Sequence, residues 1–243
     1  MSLASEAELQ EAYRGDMVAA RYMDARFDSE LHRLLYDRQV AALQRFITRL
    51  RPQKILEIAP GPARLTRHIP PTGLVVCLEY NEGMISEGRP VCGERALWIR
   101  GNGFQLPFGQ CFDLVYSFRF VRHFHRKDRE RLYAASRQVL NPNGYFVMDA
   151  VNARVSKPLR EAHPEEYLIY DKLYRSDELR RELIDARLEP LEFLPVQKYF
   201  RWQYRSQLVL GPRASWANRL VIRALERLPR MDGLEWIVIC RRA

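Results

Sequence analysis

Two apolar runs, one ending in a turn of small residues and the other in an acid, constrain this chain most. The first run, Ile55-Leu56, leads into Glu57-Ile-Ala-Pro-Gly-Pro-Ala63, and the second, Leu74-Val-Val-Cys-Leu78, is followed by Glu79. In a strand–turn–helix–strand unit, such an acid can accept hydrogen bonds from a ribose while the small residues admit the ligand. The pattern therefore predicts a site for a nucleoside cofactor.

Further apolar runs separated by turn residues predict the buried strands of a parallel sheet. Strands are predicted at residues 54–58, 74–78, 96–99, 112–117, 145–150, 191–196 and 234–240, and helices at 30–50, 128–140 and 176–187. Alternation of strands and helices is typical of a doubly wound α/β fold, whose ligand lies beyond the carboxyl ends of the strands. The turn and Glu79 both fall at such ends.

Four blocks within residues 54–151 resemble the core of the class I S-adenosylmethionine-dependent methyltransferases, in that family's order. Residues 55–65 are similar to its first motif, Glu79 to its ribose acid, 101–108 to the end of its third strand, and 140–148 to the entry of its fifth strand. The resemblance implies a mostly parallel seven-stranded sheet of the Rossmann-like type, S-adenosyl-L-methionine as the cofactor, and methyl transfer as the activity.

On this interpretation the chain has four parts. Residues 1–52 form an N-terminal helical lid, 53–199 the cofactor-binding core, 200–233 a cap-like insertion, and 234–243 the final strand of the core. The last two strands of the family form a hairpin that usually has a short connection. Because long structureless loops are uncommon in compact domains, we expect the insertion to be functional or a small helical cap.

The resemblance assigns the cofactor to residues at the strand ends and on the lid. They are Tyr22, Arg26, Glu57, Ala59, Gly61, Ala63, Glu79, Tyr80, Met84, Asn102, Gly103, Phe104, Ser117 and Phe118. Glu79 is expected to bridge the ribose hydroxyls. Asn102 stands where the family often has an acid, and its amide can still pair with adenine. Tyr22 and Arg26 either reach the sulfonium and the carboxylate of the cofactor or belong to an ordinary packing stripe.

The first turn disfavours a dinucleotide. Pyrophosphate binding requires G-x-G-x-x-G, but here Ala59, Gly61 and Ala63 are followed by Arg64 at the position that needs the last small residue. S-adenosylmethionine has no phosphate, so alanines at two of the family's three usual glycines are tolerable.

His123 and His125 follow the fourth predicted strand and are the candidates for a general base. Local packing or capping is the alternative for His123. The His-x-His pattern also suggests a metal, but no third ligand is placed in the sequence, so no metal is predicted. Methyl transfer from a sulfonium mainly requires alignment and exclusion of water, and a base is therefore optional.

Aromatic residues interleaved with arginine near the C-terminal end are the candidates for an acceptor pocket. The residues selected are Tyr167, Tyr170, Tyr174, Trp202 and Arg205. Such side chains can hold a planar or anionic small molecule. A dimer contact or a satellite core remains the alternative, and the sequence leaves the oligomeric state open.

The charge balance adds a second class of partner. The chain has 39 Lys and Arg against 30 Asp and Glu, a formal net charge of +9, which suits RNA, anionic lipid or an anionic small substrate, or simply a solvated surface. An RNA methyltransferase is the second hypothesis, although no N-P-P-Y-type motif follows the fourth strand. A non-catalytic binding subunit is the third.

The remaining expectations concern location and cysteine chemistry. No apolar stretch is long enough to span a membrane and no secretion signal is recognised, so the cytoplasm is the expected location. The four cysteines lack the close pairs of a zinc or redox site.

Overall fold

A computed structural model describes residues 29–70, 73–167, 170–229 and 232–243 of the chain. In these ranges eight strands alternate with seven α-helices. The strands are β1 Lys54–Ile58, β2 Leu74–Glu79, β3 Ala96–Arg100, β4 Phe112–Ser117, β5 Leu140–Asn152, β6 Leu173–Tyr174, β7 Leu188–Lys198 and β8 Gly233–Arg242. The helices are α1 Glu30–Leu50, α2 Glu82–Cys92, α3 Arg126–Val139, α4 Ala153–Ala162, α5 Ser176–Asp185, α6 Phe200–Val209 and α7 Ser215–Arg227.

The strands form one mostly parallel sheet in the order β3-β2-β1-β4-β5-β8-β7, with the short β6 paired to β5. Strands β1 to β5 run parallel, whereas β8 is antiparallel to both of its neighbours. The doubly wound α/β prediction is therefore confirmed. Strand β1 pairs with β2 on one side and β4 on the other, so the chain reverses its direction across the sheet between β3 and β4. Such a switch point is where folds of this type bind ligands.

Alternate residues of each strand feed two separate cores. Ile55 and Val75 belong to one cluster and Leu56 and Val76 to the other, because successive side chains point to opposite faces of a sheet. Residues of α1 and α2 cover the first face, and residues of α3 and α5 cover the second. With both faces covered, the strands read as nearly continuous apolar runs, which explains why the sequence revealed them.

Helix α1 occupies the predicted range 30–50. Ser29 caps its first turn by accepting from the backbone N–H of His32, and the helix ends at Arg51, whose φ of 49° is left-handed, directly before Pro52. This helix is the described part of the predicted N-terminal lid. It packs against the sheet through Leu43, Phe46 and Ile47.

The insertion between β7 and β8 is helical, as the cap hypothesis allowed. Helices α6 and α7 pack beside α1 and α4, where Phe200 and Ile222 meet Leu31 and Leu34. A buried hydrogen bond of 2.8 Å from the Ser206 hydroxyl to Asn218 Oδ1 also joins the two helices. None of the described helices combines the length and apolar character that a membrane crossing requires.

Candidate cofactor and methyl-transfer site

An open hollow lies at the carboxyl ends of the central strands, with about 990 Å³ of space that protein atoms do not fill. Its walls are formed by Glu57, Ala59, Pro60, Gly61, Arg64, Glu79, Tyr80, Asn81, Met84, Asn102, Gly103, Phe104, Phe118, Arg119, Phe120, His123 and Phe124. The mixture of apolar walls with a few polar groups is that of a small-molecule site. Eleven of the sequence-predicted cofactor and catalytic residues line it together.

The turn after β1 has an unusual backbone. Ala59, Gly61 and Ala63 have φ angles of 56°, 58° and 60°, so alternate residues adopt the left-handed conformation. Only glycine adopts this conformation without a steric penalty, which is of order 1 kcal/mol for an L-residue. At Gly61 a Cβ would have Met84 Sδ as its nearest neighbour at 4.0 Å, so the turn presents open backbone to the hollow.

Glu79 joins this turn to β2. Its Oε2 accepts from the backbone N–H of Gly61 at 3.0 Å, and its Oε1 accepts from Tyr80 and Asn81 at 2.9 and 3.0 Å. Burial raises the pKa of the carboxyl, while these three N–H groups act in the opposite direction. A carboxylate has about four lone-pair sites, so acceptor capacity remains for a ligand hydroxyl.

Glu57 lies behind the turn. Its Oε2 accepts from the Tyr116 hydroxyl at 2.7 Å and also from the Thr66 hydroxyl. Burial raises the pKa of Glu57 to about 7, and the two hydrogen bonds offset only part of that effect. The sequence suggested a cofactor contact for Glu57, and the structure adds a structural role, because both bonds fix the turn.

The loop after β3 forms the opposite wall. Asn102 Oδ1 accepts from the Phe104 backbone N–H at 2.9 Å, which turns the chain. A Cβ at Gly103 would lie 2.9 Å from Ile58 Cγ2, so glycine permits the close approach of the two loops. Phe104 meets Phe124 edge-to-face at 5.0 Å between ring centroids. The wall is therefore rigid and aromatic.

His123 follows β4 in a short 3₁₀ turn and is buried. Its Nδ1 lies 2.9 Å from the main-chain oxygen of Tyr170 and 3.0 Å from Asp171 Oδ1. Its Nε2 is buried and has no hydrogen-bond partner among the described residues. Since Nδ1 faces two acceptors, it is the ring nitrogen placed to donate, and Nε2 is the one placed to accept.

The segment that holds His123 is fixed by a buried cluster of charges. Arg122 lies 3.0 Å from both Asp149 and Asp171 and 2.7 Å from Glu235, so it ties the β4 loop to β5 and β8. Asp171 also contacts Arg160 at 2.6 Å. Burial works to raise the pKa of Asp171, but the charge of Arg122 and the contacts with His123 and Arg160 outweigh it and hold that pKa well below its usual range.

Three of the predicted cofactor and catalytic residues that the structure describes lie outside the walls of the hollow. Ala63 is fully buried behind the turn, and Ser117 is buried with its hydroxyl donating to the Ile58 carbonyl at 2.9 Å. His125 occupies the N-cap position of α3 without a side-chain capping bond, and its ring lies 5.2 Å from that of Tyr170. Tyr22 and Arg26 lie outside the described residues.

The predicted acceptor residues are not brought together. Tyr170 contributes its carbonyl to His123, and Tyr167 lies under Arg160, 4.6 Å from the guanidinium to the ring centroid. Tyr174 is fully buried, with its hydroxyl donating to Glu182 at 3.0 Å, so it serves the core. Trp202, with Arg205 5.3 Å over its ring, borders a separate hollow between α4 and α6.

Comparison with known proteins matches the cofactor-binding part of the chain to a family. Residues 56–148 match the family model described as "Methyltransferase domain". These residues form a methyltransferase domain, and the fold around them is that of the class I S-adenosylmethionine-dependent methyltransferases.

Solved structures share the fold of this methyltransferase at low sequence identity. Magnesium protoporphyrin IX methyltransferase of Synechocystis PCC 6803, with bound SAH, is 9% identical, covers 98% of this chain and 100% of its own, and has a TM-score of 0.71. The 1,6-didemethyltoxoflavin-N1-methyltransferase of Burkholderia thailandensis is 18% identical over 100% and 92%, with a TM-score of 0.65. N-methyltransferase NodS of Bradyrhizobium japonicum is 11% identical over 89% of each chain, with a TM-score of 0.59. A search of curated proteins found no match.

Sequence reasoning missed six residues of the methyltransferase hollow. They are Pro60, Arg64, Asn81, Arg119, Phe120 and Phe124. Asn81 was detectable in principle, because an Asn three residues before Met84 is an N-cap signal, and it does accept from the Met84 N–H at 3.0 Å. In the sequence, Arg64 is noted only because it breaks the glycine spacing of a dinucleotide site. In the structure its guanidinium lies at the hollow and donates to Gln39 Oε1 of α1 at 2.8 Å.

The left-handed turn predicts an unusual response to glycine. Ala59→Gly relieves the strain at φ 56° and should raise the free energy of unfolding by up to about 1 kcal/mol, because the relief exceeds the added entropy of the unfolded chain. Ala134→Gly, at an exposed position of α3, should lower it by about 1 kcal/mol. Urea unfolding of both variants measures the difference, and equal destabilisation of the two would show that Ala59 is unstrained.

The raised pKa of Glu57 predicts a pH dependence of stability. The folded protein keeps the Glu57 proton up to about pH 7, whereas the unfolded chain loses it near the ordinary value of 4.5. This stabilisation is complete below the unfolded pKa and is lost as the pH rises to about 7. Between pH 5 and 7.5 it should amount to about 2 kcal/mol.

Glu57→Gln should remove this part of the dependence, since Gln stays neutral and its oxygen can accept from both Thr66 and Tyr116. Urea unfolding at pH 5 and 7.5 should therefore show a smaller loss of stability in the variant than in the wild type. An identical loss in both proteins would contradict the assignment.

Proposed function

We propose that this methyltransferase transfers the methyl group of S-adenosyl-L-methionine to an oxygen or nitrogen atom of a small-molecule acceptor, with His123 as the general base. The observation that carries the proposal is the unpartnered Nε2 of His123, a residue that lines the same hollow as Gly61 and Glu79. A buried polar atom without a hydrogen-bond partner lowers the stability of the fold, and such atoms are concentrated at functional sites.

The residues of the hollow suit the parts of the cofactor in turn. Glu79 accepts from a ribose hydroxyl with its remaining lone pair, and the open backbone at Gly61 leaves room for the adjacent part of the molecule. Asn102 and Phe104 receive the adenine. Arg64 supplies positive charge for the carboxylate, the role that the sequence gave to Arg26.

When bound, S-adenosylmethionine would supply a methyl group on a sulfonium that leaves as a neutral thioether. His123 would take the proton that the acceptor hydroxyl or amine loses as its oxygen or nitrogen receives the methyl group. Asp171, 3.0 Å from Nδ1, stabilises the resulting imidazolium. Its depressed pKa keeps it ionised, so it can do so across the physiological range.

A small acceptor is favoured by the aromatic wall. Phe104, Phe118, Phe120 and Phe124 line the hollow and provide apolar surface for a planar molecule. The similar enzymes from Synechocystis and Burkholderia are named for a porphyrin and a toxoflavin precursor. These names support a small-molecule acceptor and do not identify the one used here.

The role of Glu79 is tested by a matched pair of acid substitutions. Glu79→Gln should weaken S-adenosylmethionine binding between about tenfold and a hundredfold, because it removes a charged acceptor from buried hydrogen bonds. Glu82→Gln, at a position whose side chain is 60% exposed on α2, should leave the affinity unchanged. Titration calorimetry gives both dissociation constants, with thermal melts as the control for folding. Equal affinities for the two variants would refute the ribose contact.

The role of His123 is tested against its neighbour. His123→Asn should lower kcat by about a hundredfold with the cofactor affinity unchanged, whereas His125→Asn should have little effect, because His125 lies outside the hollow. Release of S-adenosylhomocysteine with a panel of phenols, amines and heterocycles measures turnover. The His123→Asn variant should lose less turnover with acceptors that are already deprotonated. An equal loss with every acceptor of the panel would contradict the role of His123 as a general base.

The same assay separates the RNA hypothesis. Total RNA included in the panel, at several salt concentrations, should give no turnover if the acceptor is a small molecule. Turnover on RNA alone would replace the proposal with the RNA methyltransferase reading, and no turnover on any acceptor would favour a binding subunit.

A further inference from the structure

The insertion exposes large apolar side chains that the cofactor hollow does not use. Trp202, Leu208 and Val209 of α6 are 59%, 56% and 59% exposed, and Trp216 and Leu220 of α7 are 69% and 61% exposed. We call these five residues, with the arginines between them, the insertion face. Apolar surface of this kind on a folded domain marks an interaction site.

Helix geometry places these residues on the outer side of the insertion. Asn218, Ile222 and Glu226 recur every four residues and form the buried side of α7. Trp216, Leu220, Arg223 and Arg227 recur at spacings of four, three and four residues and share the opposite side. Helix α6 repeats the arrangement, because Phe200, Gln203 and Ser206 are buried while Arg201, Arg205 and Leu208 are exposed. Both helices therefore mix apolar and basic residues on their outward sides.

The charge of the insertion face has one sign. Residues 199–229 contain six arginines, at positions 201, 205, 213, 219, 223 and 227, and a single acid. That acid, Glu226, is buried and accepts from the Lys198 N–H at 2.7 Å and from Gln203 at 3.1 Å. Arg219 and Arg223 pair with Glu30 and Asp37 of α1. In the part of the chain that the structure describes, Arg201, Arg205 and Arg227 have no acidic partner.

A second hollow adjoins this face. It lies between α4 and α6 and is bordered by Val155, Leu159, Phe200 and Trp202, with Arg154, Arg201 and Asp232 also in its wall. Arg154 lies 3.6 Å from Asp232, whereas Arg201 has no acidic partner among the described residues. The apolar floor beside Arg201 suits an amphiphile with an anionic head group.

We propose that the insertion face docks the protein on the surface of a membrane that contains anionic lipids. Tryptophan and aliphatic side chains enter the boundary between head groups and acyl chains, and the arginines contact lipid phosphates. Helices α6 and α7 lie in the plane of the surface, with their other sides fixed to α1 and α4. The proposal is independent of the acceptor and of the role of His123.

Two other occupants fit the face less well. A second copy bound through the same patch would bring its arginines against an identical set, which is electrostatically unfavourable. RNA would satisfy the arginines and stack on the tryptophans, but it offers nothing apolar to Leu208, Val209 and Leu220. An anionic lipid surface satisfies both the charge and the aliphatic side chains.

Vesicle flotation tests the proposal with the full chain. The wild type should bind vesicles of phosphatidylcholine mixed with phosphatidylglycerol, bind phosphatidylcholine alone far more weakly, and dissociate in high salt. Arg201→Gln with Arg205→Gln should weaken the apparent affinity about twentyfold, and Trp202→Ala with Trp216→Ala should weaken it at least as much. The control pair, Arg175→Gln with Arg181→Gln, changes side chains that are 78% and 79% exposed at α5, which packs on the opposite face of the sheet, and should have no effect.

Tryptophan fluorescence supplies an independent readout, since Trp202 and Trp216 are two of the four tryptophans and are both exposed. Their emission should shift to shorter wavelength on anionic vesicles, and the shift should disappear in the double tryptophan variant. Thermal melts check that each variant is folded. Absence of binding to anionic vesicles, binding unaffected by the insertion variants, self-association abolished by them, or binding of RNA in place of vesicles would each overturn the proposal.

Discussion

The hydrogen bond from the Gly61 N–H to the Glu79 carboxylate is the interaction on which the site depends. It joins the turn after β1 to the end of β2 at 3.0 Å. The parallel pairing of β1 and β2 brings the two strand ends side by side, and the left-handed backbone at Gly61 aims the N–H at the acid. Because the same carboxylate also accepts from Tyr80 and Asn81, it fixes the entry of α2 as well. One buried acid therefore sets the geometry of two walls of the hollow.

The elements and the cofactor wall could be predicted because their signals are local. Buried parallel strands give continuous apolar runs, α1 shows a helical period bounded by Ser29 and Pro52, and Glu79 follows its strand directly. The carbonyl of Tyr170 and the carboxylate of Asp171 could not be predicted as partners of His123, because a connection distant in sequence brings them to the ring. The sequence groups Tyr174 with the acceptor pocket because it stands in a tyrosine-rich segment. The sequence could not show that its hydroxyl is buried against Glu182, which lies in the following helix.

The turn shows how far a family pattern can drift when the ligand carries no phosphate. Ala59 and Ala63 retain the left-handed backbone that glycine adopts freely, so the shape of the loop is kept while the residue changes. The strain is tolerated because Glu57 and Glu79 hold the turn from both sides. The insertion, in contrast, packs beside α1 and α4, and none of its described residues lines the hollow. This part of the surface can therefore vary independently of the cofactor site.

The buried Arg122 cluster has a consequence for how the enzyme matures. Its three carboxylate partners are Asp149 of β5, Asp171 and Glu235 of β8, and an unpaired arginine in this position would be strongly destabilising. The loop that carries His123 can therefore reach its final geometry only after β8 has joined the sheet. A nascent chain could therefore assemble strands β1 to β3 before β8 is synthesised, but the loop that carries His123 would be fixed only after β8 has paired with β5.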